Sequence, residues 1–123
     1  VRIATGPPVL VPSYYEVMIT CVVEYTIDPT KVAEFEQFAH AWIALVDRHG
    51  GTHHGYFLPG EGASDRALAL FSFASLAEYE SYRQLFGVDP DFIAADKIRD
   101  DSGCVLRYDR NFMRPMLATQ DSE

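Results

Sequence analysis

The sequence predicts an α+β domain built on one four-stranded antiparallel sheet with helices on a single face. Three observations carry this reading. Four stretches, residues 18–27, 52–58, 66–73 and 104–113, read as strands: the first is rich in β-branched and aromatic residues, and turn or helix signals separate them all. The two long intervals between strands one and two and between strands three and four carry apolar residues at spacings of three and four. Strands two and three are separated only by the turn-forming run PGEGASD, residues 59–65, which makes them a hairpin.

The first strand, MITCVVEYTI, divides cleanly by parity. Ile19, Cys21, Val23, Tyr25 and Ile27 make an apolar face, whereas Met18, Thr20, Val22, Glu24 and Thr26 make a mixed one. Asp28-Pro29 ends it and starts a helix, because an aspartate can accept from free backbone N–H groups and proline suits the first helical position. Val32, Phe35, Phe38, Ala39, Trp42, Leu45, Val46 and His49 then form one stripe, and Gly50-Gly51 stops the helix near residue 49. THHGYFL and RALALFSF read as the paired strands. Ser75-Leu76-Ala77-Glu78 fits a capping box for the second helix, with Leu76, Tyr79, Tyr82, Leu85 and Phe86 as its apolar positions. Asp89-Pro90 repeats the earlier start signal and opens a short third helix over residues 91–100, with Phe92, Ile93, Ala95 and Ile98 as its apolar residues. CVLRYDRNFM is the last strand, and Pro115 ends it.

The order β-α-β-β-α-β, with one helical insertion, is the ferredoxin-like split βαβ arrangement. Helices cover one sheet face. The other face is not polar enough to rest in water, so two copies packed sheet to sheet into a dimeric α+β barrel are expected. Residues 1–17 are proline-rich and without helical period. They are an extension, with edge strands at 9–11 and 14–17, or an expression-derived or misread segment ahead of Met18. The domain then spans residues 18–117 and a polar tail spans 118–123.

Of the 123 residues, 18 are acidic and 10 basic, a net charge of −8, which disfavours nucleic acid and anionic membrane surfaces. No apolar run approaches the ~20 residues of a membrane span, and prolines interrupt any signal-like core at the start, so the expected location is cytoplasmic. There is no G-x-G-x-x-G, P-loop or G-x-S-x-G pattern, and no cofactor is expected.

If Glu24 faces Arg107 across the first and last strands, Val22 faces Asp109 and Thr20 faces Asn111, all away from the helices. That register lines a dimer cleft with an ion pair and a polar row; equally, it is a cross-strand pair that supports the sheet. It puts Cys21 and Cys104 about 20 Å apart at ~3.3 Å per residue, beyond the ~7 Å Cα limit of a disulfide, so both thiols are free. His53 and His54 are candidate acid–base groups, but adjacent strand residues point to opposite faces and only one of them can serve a given site. His49 suits a helix C-terminus as a cation, His40 is solvated, and no ligand spacing supports a metal. Tyr56 and Tyr108 are candidate pocket aromatics, or core residues with hydrogen-bonded tips.

VVEYTIDPTKVAEFEQF at 22–38, HHGYFLPGEG at 53–62 and LRYDRNFMRPM at 106–116 together resemble the NIPSNAP family over residues 18–117. The chain departs from the family at Val23, where members tend to carry arginine, and in ALALF, where they often carry tryptophan. The resemblance implies the ferredoxin-like fold and a homodimer or a higher assembly of it, but no common reaction. Relatives on the same barrel include cofactor-free monooxygenases, haem-degrading enzymes and small dehydratases. Two functions follow as expectations: a protein binding a small apolar or aromatic metabolite in the dimer cleft, through Glu24, Tyr56, Arg107, Tyr108 and Asp109, or a cofactor-independent monooxygenase, isomerase or lyase with His54 or His53 as base.

Overall fold

A computed structural model describes residues 18–116; the expectations for residues 1–17 and for 117–123 lie outside them. Strand β1 (Ile19–Ile27) leads through a 3-10 turn (Pro29–Lys31) into helix α1 (Val32–Arg48). Strands β2 (Thr52–Phe57) and β3 (Arg66–Phe73) form the hairpin, followed by helices α2 (Leu76–Arg83) and α3 (Pro90–Ser102) and strand β4 (Val105–Met113). The sheet order is β2-β3-β1-β4, and every pairing is antiparallel. This is the expected α+β, ferredoxin-like arrangement, with β2 and β4 at the edges.

The start signals work as their chemistry predicts. Asp28 Oδ1 accepts from the Thr30 N–H at 2.9 Å, Ser75 Oγ from the Glu78 N–H at 3.1 Å, and Asp89 Oδ1 from the Asp91 N–H at 2.8 Å. The first helical turn after Asp28 is 3-10 rather than α. Gly103 ends α3 in the left-handed conformation, at φ 68°.

The core lies between the sheet and the helices. Cys21, Val23, Tyr25 and Ile27 from β1 meet Ala67, Ala69, Phe71 and Phe73 from β3, and Phe35, Phe38, Trp42, Leu45 and Val46 of α1 close over them. Helix α3 packs on α1 through Phe92, whose ring lies 5.5 Å from that of Trp42. Cys21 and Cys104 are both free and buried. At Gly51 the chain passes so close to Val46 and Phe73 that an added Cβ would stand 2.7 and 2.9 Å from their side chains.

Two irregularities decide which residues share a face. In β2, His53 pairs with Phe71 but Gly55 pairs with Leu70, so His54 is an unmatched residue in a β-bulge. Gly55 holds φ at 112°, which a side chain would resist. A regular strand would put His53 and Tyr56 on opposite faces; the bulge returns both to the helix side, with their rings stacked at 5.0 Å and 11°. In β4, Thr26 pairs with Arg107 but Ile27 pairs with Val105, leaving Leu106 unmatched.

The second bulge corrects the expected register. Glu24 lies opposite Asp109, not Arg107, and Val22 lies opposite Asn111. The strand enters one residue later than expected, and the bulge adds one more. A total slip of two preserves every residue's face while changing every partner. The pairing of Cys21 moves likewise, to Phe112.

The face away from the helices carries Val22, Leu68 and Leu70 half-buried, with Met18, Phe57 and Met113 at its margins exposed. Thr20 and Ser72 hydroxyls bond at 2.7 Å across β1 and β3, and His54 Nε2 meets the same Ser72 oxygen at 2.8 Å.

Candidate functional site

A partly open space of about 200 Å3 lies on the helix side of the sheet. Its walls come from every layer: Val23 and Tyr25 of β1, His53 and Tyr56 of β2, Phe71 of β3, Phe38, Trp42 and Val46 of α1, Tyr79 and Tyr82 of α2, and Tyr108 and Arg110 of β4. Aromatic rings dominate because alternate residues of each strand point inward, while α1 repeats large residues every three or four positions. Tyr25 and Tyr56 stack at 6.0 Å, His53 and Phe71 at 5.4 Å, and Trp42 lies 5.1 Å from Phe86.

Polar groups in this space fall into three kinds. The first is phenols held protonated. Burial pushes Tyr25 up to about 12, the hydrogen bond with Tyr56 partly offsetting it, and burial likewise raises Tyr56 and Tyr82.

The second is a pair of N–H donors without an acceptor. Trp42 Nε1 is buried and has no hydrogen-bond partner among the described residues. His53 Nε2 is in the same condition. His53 Nδ1 accepts from the Gly55 N–H at 2.9 Å, so the neutral ring carries its proton on Nε2. Burial is the main cause that lowers this imidazole to about 4; Asp47 opposes the shift and His54 adds to it. His53 is therefore a neutral donor at physiological pH. Its acceptor nitrogen is engaged by the backbone N–H of Gly55.

The third kind is cationic. Arg83, Arg99 and Arg110 line the space with Asp96. Arg99 is tied to Asp100 at 3.0 Å and to Asp96 at 3.6 Å. Arg83 instead lies over the Phe86 ring at 4.4 Å, and Arg110 over the Tyr108 ring at 5.5 Å.

The residues proposed from sequence divide between the two faces. His53, Tyr56 and Tyr108 line the space on the helix side. Glu24, Arg107 and Asp109 lie on the opposite face, beside a wide open hollow shared with Phe57, Leu58 and Arg66. The expected Glu24–Arg107 pair is replaced by an Arg107–Asp109 pair along β4, at 3.2 Å. His54 is also on that face, bound to Ser72, so no single site contains both histidines. Sequence reasoning missed Trp42, Arg83 and Arg110 as site residues. Trp42 was visible only as one member of the helix stripe, while the alternation of β4 beside Tyr108 was the available signal for Arg110. Among the described residues, no group of three or more His, Cys, Asp and Glu side chains is placed to hold a metal ion, and no helix is long and apolar enough to cross a membrane.

A split βαβ sheet with helices on one side and an aromatic cavity beneath them defines a ferredoxin-like α+β domain. A NIPSNAP family model matches residues 20–120, and the chain belongs to the NIPSNAP family. Among solved structures it is similar to a NIPSNAP-like domain protein from Burkholderia xenovorans, at 20% identity and TM-score 0.69, over 84% of this chain and 89% of that one. A NIPSNAP family protein of unknown function from Agrobacterium tumefaciens aligns at 17% identity and TM-score 0.69, covering 84% and 92%. SnoaB, a cofactor-independent oxygenase from Streptomyces nogalater, aligns at 13% identity and TM-score 0.61, covering 83% and 96%. No curated protein matches the chain. At these identities the likeness is one of fold. Val23 lines the cavity, and Arg110, which also lines it, lies directly opposite on β4.

Proposed function

We propose that this NIPSNAP domain binds a small aromatic molecule in the cavity between its sheet and helices. One observation carries the reading: Trp42 and His53 both line the aromatic space, and each has a buried ring nitrogen with no hydrogen-bond partner among the described residues. An unpaired buried donor costs about 1–3 kcal/mol, and an oxygen-bearing ligand would offset that cost twice. Trp42 is the chain's sole tryptophan, so its fluorescence reports occupancy without labelling. Titration with phenols, with native mass spectrometry of freshly purified protein, tests the reading. Saturable quenching supports it; a Trp42 signal unmoved by every single-ring phenol up to its solubility limit overturns it.

The second part of the proposal is a homodimer formed through the face away from the helices. Support comes from the half-buried Val22, Leu68 and Leu70, rimmed by exposed Phe57 and Met113. The same mass spectra report the pairing, and a monomer at micromolar concentration refutes it.

A cofactor-independent oxygenase is the alternative reading. The donor pair favours it, because two fixed N–H groups in a dry site stabilise an oxygen that gains charge during reaction. An oxygen-electrode assay with electron-rich phenols tests it; uptake equal to the enzyme-free rate rejects it.

A further inference from the structure

We infer that the cavity selects aromatic acids: a single ring inside, with its carboxylate on the guanidiniums of Arg83 and Arg110. This rests on the cavity being a ligand site and names the class of ligand it takes.

The inference starts from the charge balance. Acidic residues outnumber basic ones by 18 to 10, so an arginine should rarely lack a carboxylate. Among the described residues Arg48, Arg66, Lys97, Arg99 and Arg107 all have one within 4.0 Å. Lys31 Nζ is taken by the Ser102 carbonyl. Arg83, Arg110 and Arg114 have none. Two of these three line the same cavity, and both rest on ring faces rather than on anions. Asp96 also lines the cavity; its ion-pair partner is Arg99, and Arg83 attracts it more weakly, from beyond ion-pair distance.

Arginine presents a planar fork of donors that matches a carboxylate in two parallel hydrogen bonds. Arg83 is exposed and Arg110 half-buried, so an anion held between them stays close to water while its ring enters the space behind. Size sets the ring count. An apolar cavity of about 150 Å3 holds benzene, so about 200 Å3 holds one substituted ring. Trp42 and His53 line the same space, and their unpaired ring nitrogens suit an oxygen substituent on that ring.

The test compares 4-hydroxybenzoate with its neutral isostere 4-hydroxybenzamide, read by Trp42 fluorescence and checked by ligand-observed NMR. The acid should bind about tenfold more tightly, a modest ratio suited to partly exposed charge pairs, and the preference should shrink as salt is raised. The R83Q/R110Q double variant should bring the two ligands to within about twofold, while R114Q, which lies outside the cavity, should keep the full preference. Circular dichroism confirms that each variant is folded. If wild type binds acid and amide equally, the arginine assignment is overturned and the cavity reading stands. If neither binds, both fall. If the double variant does not fold, the salt dependence of the wild-type preference decides, and a salt-independent preference overturns the assignment.

Discussion

Lowering the pH should weaken this fold through His53 in a way that one substitution can isolate. The ring is neutral in the folded protein because burial holds it at about 4, against 6.5 for an ordinary histidine. The unfolded chain therefore takes up a proton first as pH falls. Stability is fully present above about 6.5, declines between 6.5 and 4, and His53 costs nothing further below 4. At pH 5 the unfolded imidazole is almost wholly charged and the folded one hardly at all, a difference of roughly 2 kcal/mol at 1.36 kcal/mol per tenfold. Because the ring is only partly buried, solvent screening brings this to about 1 kcal/mol. The measurement is urea unfolding of the wild type and H53Q at pH 7.5 and pH 5. Glutamine keeps an amide donor but cannot titrate, and the carboxylates common to both proteins cancel. The wild type should lose about 1 kcal/mol more than the variant on acidification. Equal losses would refute the neutral state assigned to the folded ring at pH 5.

Two further outcomes test the packing around the cavity. Gly51→Ala should destabilise the protein by about 1–3 kcal/mol, since the new methyl meets Val46 and Phe73 inside contact distance; Gly60→Ala, with nothing within 4 Å, is the control, and equal thermal midpoints would contradict the close approach. Cys21, which burial raises to about 11 despite the nearby Arg110, and the equally buried Cys104 should resist an aromatic disulfide reagent until the chain unfolds, so rapid native labelling of either thiol would argue against the packing described.

The secondary structure was legible because each element carries its own signal. RALALFSF is a short apolar run set between the PGEGASD turn and the Ser75 helix start, and β3 occupies just those residues, Arg66–Phe73. The Asp-Pro pairs mark two helix starts through local hydrogen bonds that need no tertiary context. The mixed face of β1 was also legible, and Glu24, Arg107 and Asp109 do lie together on it. Their partners were not, because strand register is set by how many residues a turn and a bulge consume, and neither number is written in side-chain pattern. The cavity was hidden for the same reason. Nothing in THHGYF announces that His54 drops out of the ladder, yet that single step brings Tyr56 beside His53. Arg83 and Arg110 are unremarkable in sequence; what distinguishes them is the missing carboxylate, which only the packed structure shows.

The bulge at His54 also governs where this strand can change length. His54 opposes no residue on β3, so removing it leaves His53 across from Phe71 and Tyr56 across from Ala69. Loss of a residue between Tyr56 and the hairpin tip, by contrast, would drag the strand end across its neighbour and exchange inside for outside. Insertions and deletions in β2 therefore have one silent address, and a homologue one residue shorter there would keep its binding wall intact.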